Sequence, residues 1–435
     1  MTRARRLHPA WTVAAVAFVA LVGAAGFRAT PSVLLHPLHA EFRWPLATIS
    51  AAVSVNLLLY GLTAPFAAAL MDRFGIRRVV AGALALVALG SGLTVFMTAS
   101  WQLILCWGVL VGLGTGSMAL AFVATVTGRW FVHRRGLVTG VLTAGGAAGQ
   151  LVFLPLLAVL VRDHGWRAAA LVVAGAALAV VPLVARWLRE HPADLGLPAY
   201  GATGVTPRPP SAGGAAARAV AAFTAAARTR PFWLLAGGFA ICGATTNGLV
   251  GTHFVPAAHD HGMPQTTAAG LLALVGLFDI VGVIASGWLT DRMDSRLLLA
   301  GYYGLRGLSL LLLPALFTGG TGGTGPSMLV FVVFYGLDWV ATVPPTVALC
   351  REYFGDSAAV VFGWVFAAHQ FGAAFAATAA GLVRDRLGDY APAWYAAGAL
   401  SIGAGLLSLL LRRRRAAQVP VLTPARPAGA WSYRG

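Results

Sequence analysis

Four strongly charged side chains interrupt the long apolar runs of this sequence: Arg28, Asp279, Arg306 and Asp338. Their charges sum to zero, and His369, in another such run, adds a positive charge when protonated. An arginine holds a carboxylate through two parallel hydrogen bonds. A buried aspartate takes up and releases a proton. Together these types could bind a small anion and accompany it with a proton. Milder polar groups lie at helical spacing around them. Asn56 and Tyr60 form an i, i+4 pair, Thr342 follows Asp338 by four residues, and Gln370 follows His369. His369 shares a helical face with Phe362, Phe366 and Ala373, which suits a small, partly apolar solute.

The elements that position these residues are membrane-spanning helices. Of the 435 residues 58% are hydrophobic and only 10% charged, with mean hydropathy +0.77. About 20 apolar residues cross the ~30 Å hydrocarbon layer. Twelve such runs occur, near 11–35, 46–70, 78–97, 101–127, 137–161, 166–188, 232–256, 266–289, 297–317, 328–350, 359–383 and 390–411. Asp279, Arg306, Asp338 and His369 fall near the middle of the eighth to eleventh runs, and Arg28 in the outer half of the first. A charge at a helix centre costs ~2.5–3.5 kcal/mol on the insertion scale, so each needs a partner or a watery cavity.

The net charge of +17 serves orientation rather than nucleic-acid binding. All 31 basic residues are arginine. With the N-terminus inside, 24 lie in the inner segments and five outside (Arg43, Arg162, Arg167, Arg384, Arg386). Both termini are therefore expected in the cytoplasm, with the "RRRR" at 412–415 holding the last helix at anionic lipid. The first apolar run is too long for a signal peptide and is expected to remain as a helix. Cys106, Cys242 and Cys350 lie within spans and give no disulfide framework. "HFVPAAHDH" (253–261) resembles a metal cluster but straddles a helix end, so no metal is expected. No phosphate loop, HExxH pair or nucleophile elbow points to ATP, a cofactor or an enzyme.

Residues 189–231 are the one long polar insert, dividing the spans six and six, and the halves repeat. "MDRFGIR" (71–77) matches "TDRMDSR" (290–296), "RWF" (129–131) matches "REYF" (351–354), and "LVRDHG" (160–165) matches "LVRDRLG" (382–388). With its paired D-R-x-[GD]-x-R loops, the chain resembles the major facilitator superfamily over residues 10–412. "GFRATP" (26–31), "REHPADLGLPAYG" (189–201) and "YGLDWVATVPPT" (335–346) resemble its bacterial oxalate–formate exchanger and monocarboxylate porter group. The resemblance implies an all-α fold of two six-helix bundles, 1–188 and 232–412. A cytoplasmic loop at 189–231 joins them and a disordered tail follows at 413–435. It also implies a midplane site lined by the first, fourth, seventh and tenth helices. In the loops, Asp72, Arg73, Arg77, Asp291, Arg292 and Arg296 are expected to pair between helices and across bundles as a gate. Related porters often place an arginine one turn after the eighth-helix aspartate; here that position is Val283.

The expected roles follow. Arg28 binds the carboxylate or snorkels outward. Arg306 forms a structural ion pair with Asp279 or Asp338. Asp279 or Asp338 carries the proton. Asn56, Tyr60, Asp338, Thr342, His369 and Gln370 shape the substrate pocket. Asp338 has Gly116 as its equivalent in the first half, and Pro344 and Pro345 leave the carbonyls of Val340 and Ala341 without their usual donors. The expected function is secondary transport of a small organic anion, a monocarboxylate, across a bacterial inner membrane with protons or by exchange, by a monomer among lipids. The alternatives are proton-coupled export of cationic or neutral drugs and, more remotely, a transporter-like sensor or intramembrane enzyme.

Overall fold

The computed structural model describes residues 8–44, 46–207, 214–318 and 325–412. The arginines at 3–6, most of the "RRRR" run and the tail lie outside the described residues. The chain is almost wholly helical. The first six spans are Pro9–Phe42, Leu46–Phe74, Ile76–Leu93, Ser100–Trp130, Arg135–His164 and Trp166–Trp187. A short linker helix, Ala215–Ala227, precedes the seventh (Arg230–Asp260), eighth (Gln265–Thr290), ninth (Ser295–Thr318), eleventh (Ala358–Leu387) and twelfth (Ala391–Leu409). The tenth comes in two pieces, Pro326–Asp338 and Val343–Phe354. All twelve expected crossings are present.

Hydrophobic length makes these helices, because a backbone in hydrocarbon must satisfy its own polar groups. Their outer surfaces remain apolar, with Leu178, Val281, Leu305, Phe334 and Leu406 all exposed. Polarity at the ends stops them. The "REHPADLGLPAYG" segment folds back under the first bundle, where Glu190 accepts from the backbone N–H groups of Ile76 (2.5 Å) and Arg77 (3.2 Å) and so caps the third span. Tyr200 pairs with Trp130 and Val132 through the backbone and rests on Trp11 and Phe131.

The two bundles meet along the second and eleventh spans and along the fifth and eighth. Glycines permit this. Gly136 and Gly287 face one another, Gly140 faces Val283, and Gly363 lies against Pro65. These contacts fall on the half of the molecule that carries the paired loops, so the loop-motif face is the closed one. The linker helix lies over that seam. Ala219 and Ala226 are buried, the Ala219 carbonyl accepts from Trp364 Nε1 at 3.0 Å, and Phe223 packs on Trp364 and Phe232.

Candidate functional site

The helix of the tenth span stops at Asp338, turns through 339–342 and restarts at Val343 with Pro344 and Pro345 in its first turn. Prolines are tolerated there because first-turn N–H groups have no helical partner. Four carbonyls around the break, those of residues 338 to 341, find donors. Pro345 has no N–H for Ala341 O, and the Ser286 hydroxyl supplies one at 2.5 Å. Pro344 has none for Val340 O, which takes the Val343 N–H at 3.0 Å. The carbonyls of Asp338 and Trp339 accept from Arg306 Nη2 at 2.6 and 3.1 Å. On the other side of the turn, the Val340 N–H donates to Asp279 Oδ1 at 3.0 Å.

Three of the four intramembrane charges thus meet at one break. Arg306 is 1% exposed, and its Nε donates to Asp338 Oδ2 at 2.6 Å while Nη1 reaches Cys242 Sγ at 3.0 Å. Asp279 and Asp338 are buried too. Asp338 Oδ1 has no hydrogen-bond partner among the described residues. With both acids ionised, the cluster holds one net negative charge away from water. Thr342 is fully buried beside Cys242 (Oγ1 to Sγ 3.2 Å), and Tyr335 donates to Thr245 O at 2.8 Å across a π-helical stretch of the seventh span, Ala244–Val250.

The first bundle offers space instead of charge. A cavity of about 60 Å³ opens between its first, second, fourth and fifth spans, lined by Leu21, Ala24, Ala25, Tyr60, Thr115 and Thr143 among others. The Thr143 hydroxyl is buried without a hydrogen-bond partner among the described residues. Position 28 follows Ala24 and Ala25 by one helical turn on the same face of the first span. The Arg28 side chain itself lies outside the described residues.

The remaining pocket candidates are spread over two interfaces. Tyr60 meets Phe366 edge-on across the bundles at 5.4 Å, and Gln370 lies against Gly61. His369 is wedged between the seventh and eleventh spans, its ring 4.9 Å from Phe239 and stacked on Phe366 at 5.8 Å. The amide of Asn56 donates to Trp107 O at 3.0 Å, joining the second and fourth spans.

The paired loops differ in use. Asp72 binds Arg129 at 2.6 Å and Arg218 of the linker helix at 2.9 Å. Asp291 crosses to the other bundle and accepts from the Gly136 and Leu137 N–H groups at 2.7 and 2.9 Å, which puts a carboxylate on the N-terminus of the fifth span. The motif arginines serve their own neighbourhoods. Arg73 lies over Phe74, Arg77 reaches Ala185 O, and Arg292 covers Trp288. Arg296 binds Asp294 and Leu411 O.

Ser286, Thr245 and Thr143 join the sequence-predicted residues at these sites, and Cys242, expected only as a small apolar residue within a span, touches both Arg306 and Thr342. Ser286 had a signal, since it follows Asp279 by seven residues and so shares its helix face. Thr143 had none beyond its place in a small-residue stretch.

Comparison with known proteins agrees with this architecture. A family profile described as Major Facilitator Superfamily matches residues 16–377 and 255–432. Monocarboxylate transporter 13 of Bos taurus is 30% identical over 379 residues, covering 85% of this chain and 82% of the relative. Monocarboxylate transporter 11 of Homo sapiens is 28% identical over 415 residues, covering 93% and 83%. The crystal structure of the E. coli fucose:proton symporter FucP superposes with TM-score 0.69 at 15% identity, covering 92% of this chain and 98% of that one. A doubled six-span architecture, a broken tenth helix and matches over most of the chain lead to one conclusion: this chain belongs to the major facilitator superfamily and is a membrane transporter, not an enzyme.

Proposed function

We propose that the protein moves a small monocarboxylate across a bacterial inner membrane together with a proton or in exchange, with both termini and the 189–231 loop cytoplasmic. The observation that carries the proton part is the cluster at the tenth-span break. One arginine faces two buried aspartates, so a single proton makes it neutral. Support for the solute class comes from the relatives named monocarboxylate transporters. Position 28, one turn beyond the cavity-lining Ala24 and Ala25, carries the other arginine of the apolar runs.

In this reading Arg28 holds the carboxylate by its paired N–H groups, and Tyr60, Thr143, His369 and Gln370 bound the pocket. Asp279 is the proton carrier. Its carboxyl makes one backbone hydrogen bond, whereas Asp338 is held directly by Arg306. Thr342 and Asn56 act through packing, on Cys242 and Trp107. Alternating access between the 1–188 and 232–412 bundles releases the Asp291 cap on the fifth span and the Asp72 pair with Arg218. Drug export with an acid as the cation site fits less well, because Asp338 already faces a guanidinium.

The test is uptake into liposomes with an imposed pH gradient, offering a panel of labelled small carboxylates, amines and neutral drugs. Acid outside is expected to drive carboxylate uptake, and Arg28→Gln to abolish it at least tenfold. Uptake that ignores both pH and Arg28→Gln would refute the proposal.

A further inference from the structure

The seam between the bundles encloses a second cavity on the loop-motif face, of about 50 Å³, and its walls are charged. About 10–15 Å³ suffices for one water, so a small ion with residual water fits. Arg129, Arg135 and Arg351 line it, together with Asp72 and Asp356. Arg135 begins the fifth span, in one bundle, and Arg351 ends the tenth, in the other. Both residues border the same small cavity, so their like charges repel across it.

The nearby acids are largely committed. Asp72 is bound by Arg129 and Arg218, and Asp291 by the fifth-span N-terminus. Asp356 forms no ion pair with Arg351 among the described residues. Arg135 uses only Nε, on Phe131 O at 2.7 Å, and Arg351 donates to no side-chain or backbone acceptor among the described residues. Arginines 129, 135, 218 and 351 against aspartates 72, 291 and 356 leave one positive charge unmatched at a closed interface.

The geometry points to a site for one small monoanion, a halide or a short carboxylate, between Arg135 and Arg351, whose binding clamps the loop-motif face shut. Without the anion the two guanidinium groups push the bundles apart. With it, each donates to a shared partner and the seam is neutral. The site is separate from the central cavity and does not depend on which solute is carried.

The experiment measures the melting temperature of the purified full-length protein as sodium chloride replaces the sodium salt of a bulky organic sulfonate at constant ionic strength. Wild type is expected to show a saturable rise, and Arg351→Gln and Arg135→Gln a flat response. In chloride-free buffer Arg351→Gln is expected to melt above wild type, because the repulsion is gone. Gly128→Val keeps every charge but fills the cavity, since a Cβ at Gly128 would stand 3.3 Å from Arg351 Nη1, and it should also be flat. Asp356→Asn should move the midpoint to lower chloride.

Repeating the titration with formate separates the two sources. A rise kept in Arg28→Gln and lost in Arg351→Gln belongs to this site, and one with the opposite pattern belongs to the central pocket. A rise linear in salt, or one retained in both Arg351→Gln and Gly128→Val, overturns the site. Should Arg135→Gln fail to fold, those two variants decide alone.

Discussion

The fourth and tenth spans are repeats of one another, and both break at the same place. The fourth is irregular at Met118–Ala119 and the tenth through 339–342, positions about 222 residues apart. Where the tenth has Asp338, the fourth has Gly116. Its break is managed locally. Met118 and Ala119 donate back to Thr115 and Gly116, while Thr115 and Ser117 bond the carbonyls of Val111 and Leu113 one turn earlier. Gly116 then lets the second span approach, since a Cβ there would lie 2.9 Å from Thr63 Cβ and 3.0 Å from Leu59 O. The tenth span recruits Arg306, Asp279 and Ser286 from two other helices. The break is therefore common to the duplicated fold, and the charges are an addition confined to the second half.

Removing Arg306 breaks that contrast most severely. Arg306→Met leaves the Asp338 carboxylate buried without its counter-charge and takes the guanidinium from the Trp339 carbonyl, and should lower unfolding stability by about 3–5 kcal/mol. Denaturation of the purified protein in detergent measures it. If the charges are an addition to a self-sufficient break, the double variant Arg306→Met/Asp338→Leu should recover much of that loss. If recovery is absent, the Trp339 carbonyl depends on the guanidinium. On the uncharged side of the comparison, Gly116→Val should cost about 1–3 kcal/mol by forcing the second and fourth spans apart. Gly82→Ala, which meets nothing within 4 Å, should leave the same denaturation curve in place.

Smaller effects sharpen the division of labour within the tenth span. Ser286→Ala removes the donor to Ala341 O and should cost about 0.5–1.5 kcal/mol by the same assay. Asp279→Asn keeps an acceptor for the Val340 N–H, so stability should change by about 1 kcal/mol or less. Its transport signature is larger. If Asp279 carries the proton, uptake in this variant should lose its response to a pH gradient, while exchange of solute for solute continues. Retention of pH-driven uptake would transfer the role to Asp338.

Much of this was legible beforehand. The twelve spans, the duplication and the list of intramembrane charges follow from hydropathy and spacing, because hydrocarbon tolerates neither an unpaired backbone nor an unpaired charge. Partner choice was less visible. Nothing in the spacing distinguished Asp279 from Asp338 as the mate of Arg306, and the ninth, eighth and tenth helices had to be rotated and crossed before one pair came within 2.6 Å. The loop motifs carry the same lesson. Asp72 and Asp291 stand at matching positions beside similar arginines. One binds a helix of the connecting loop and the other caps a helix of the opposite bundle.

Sequence alone thus determined the solvent, the number of crossings, the repeat and the set of groups that chemistry could use. These depend on composition and on distance along one chain. Only the tertiary structure decided that three charges gather on one broken helix, that Asp291 bridges the bundles and that Arg135 and Arg351 border one cavity. Such contacts join residues on different helices, and their distances are fixed by how close glycines let those helices approach rather than by any local pattern.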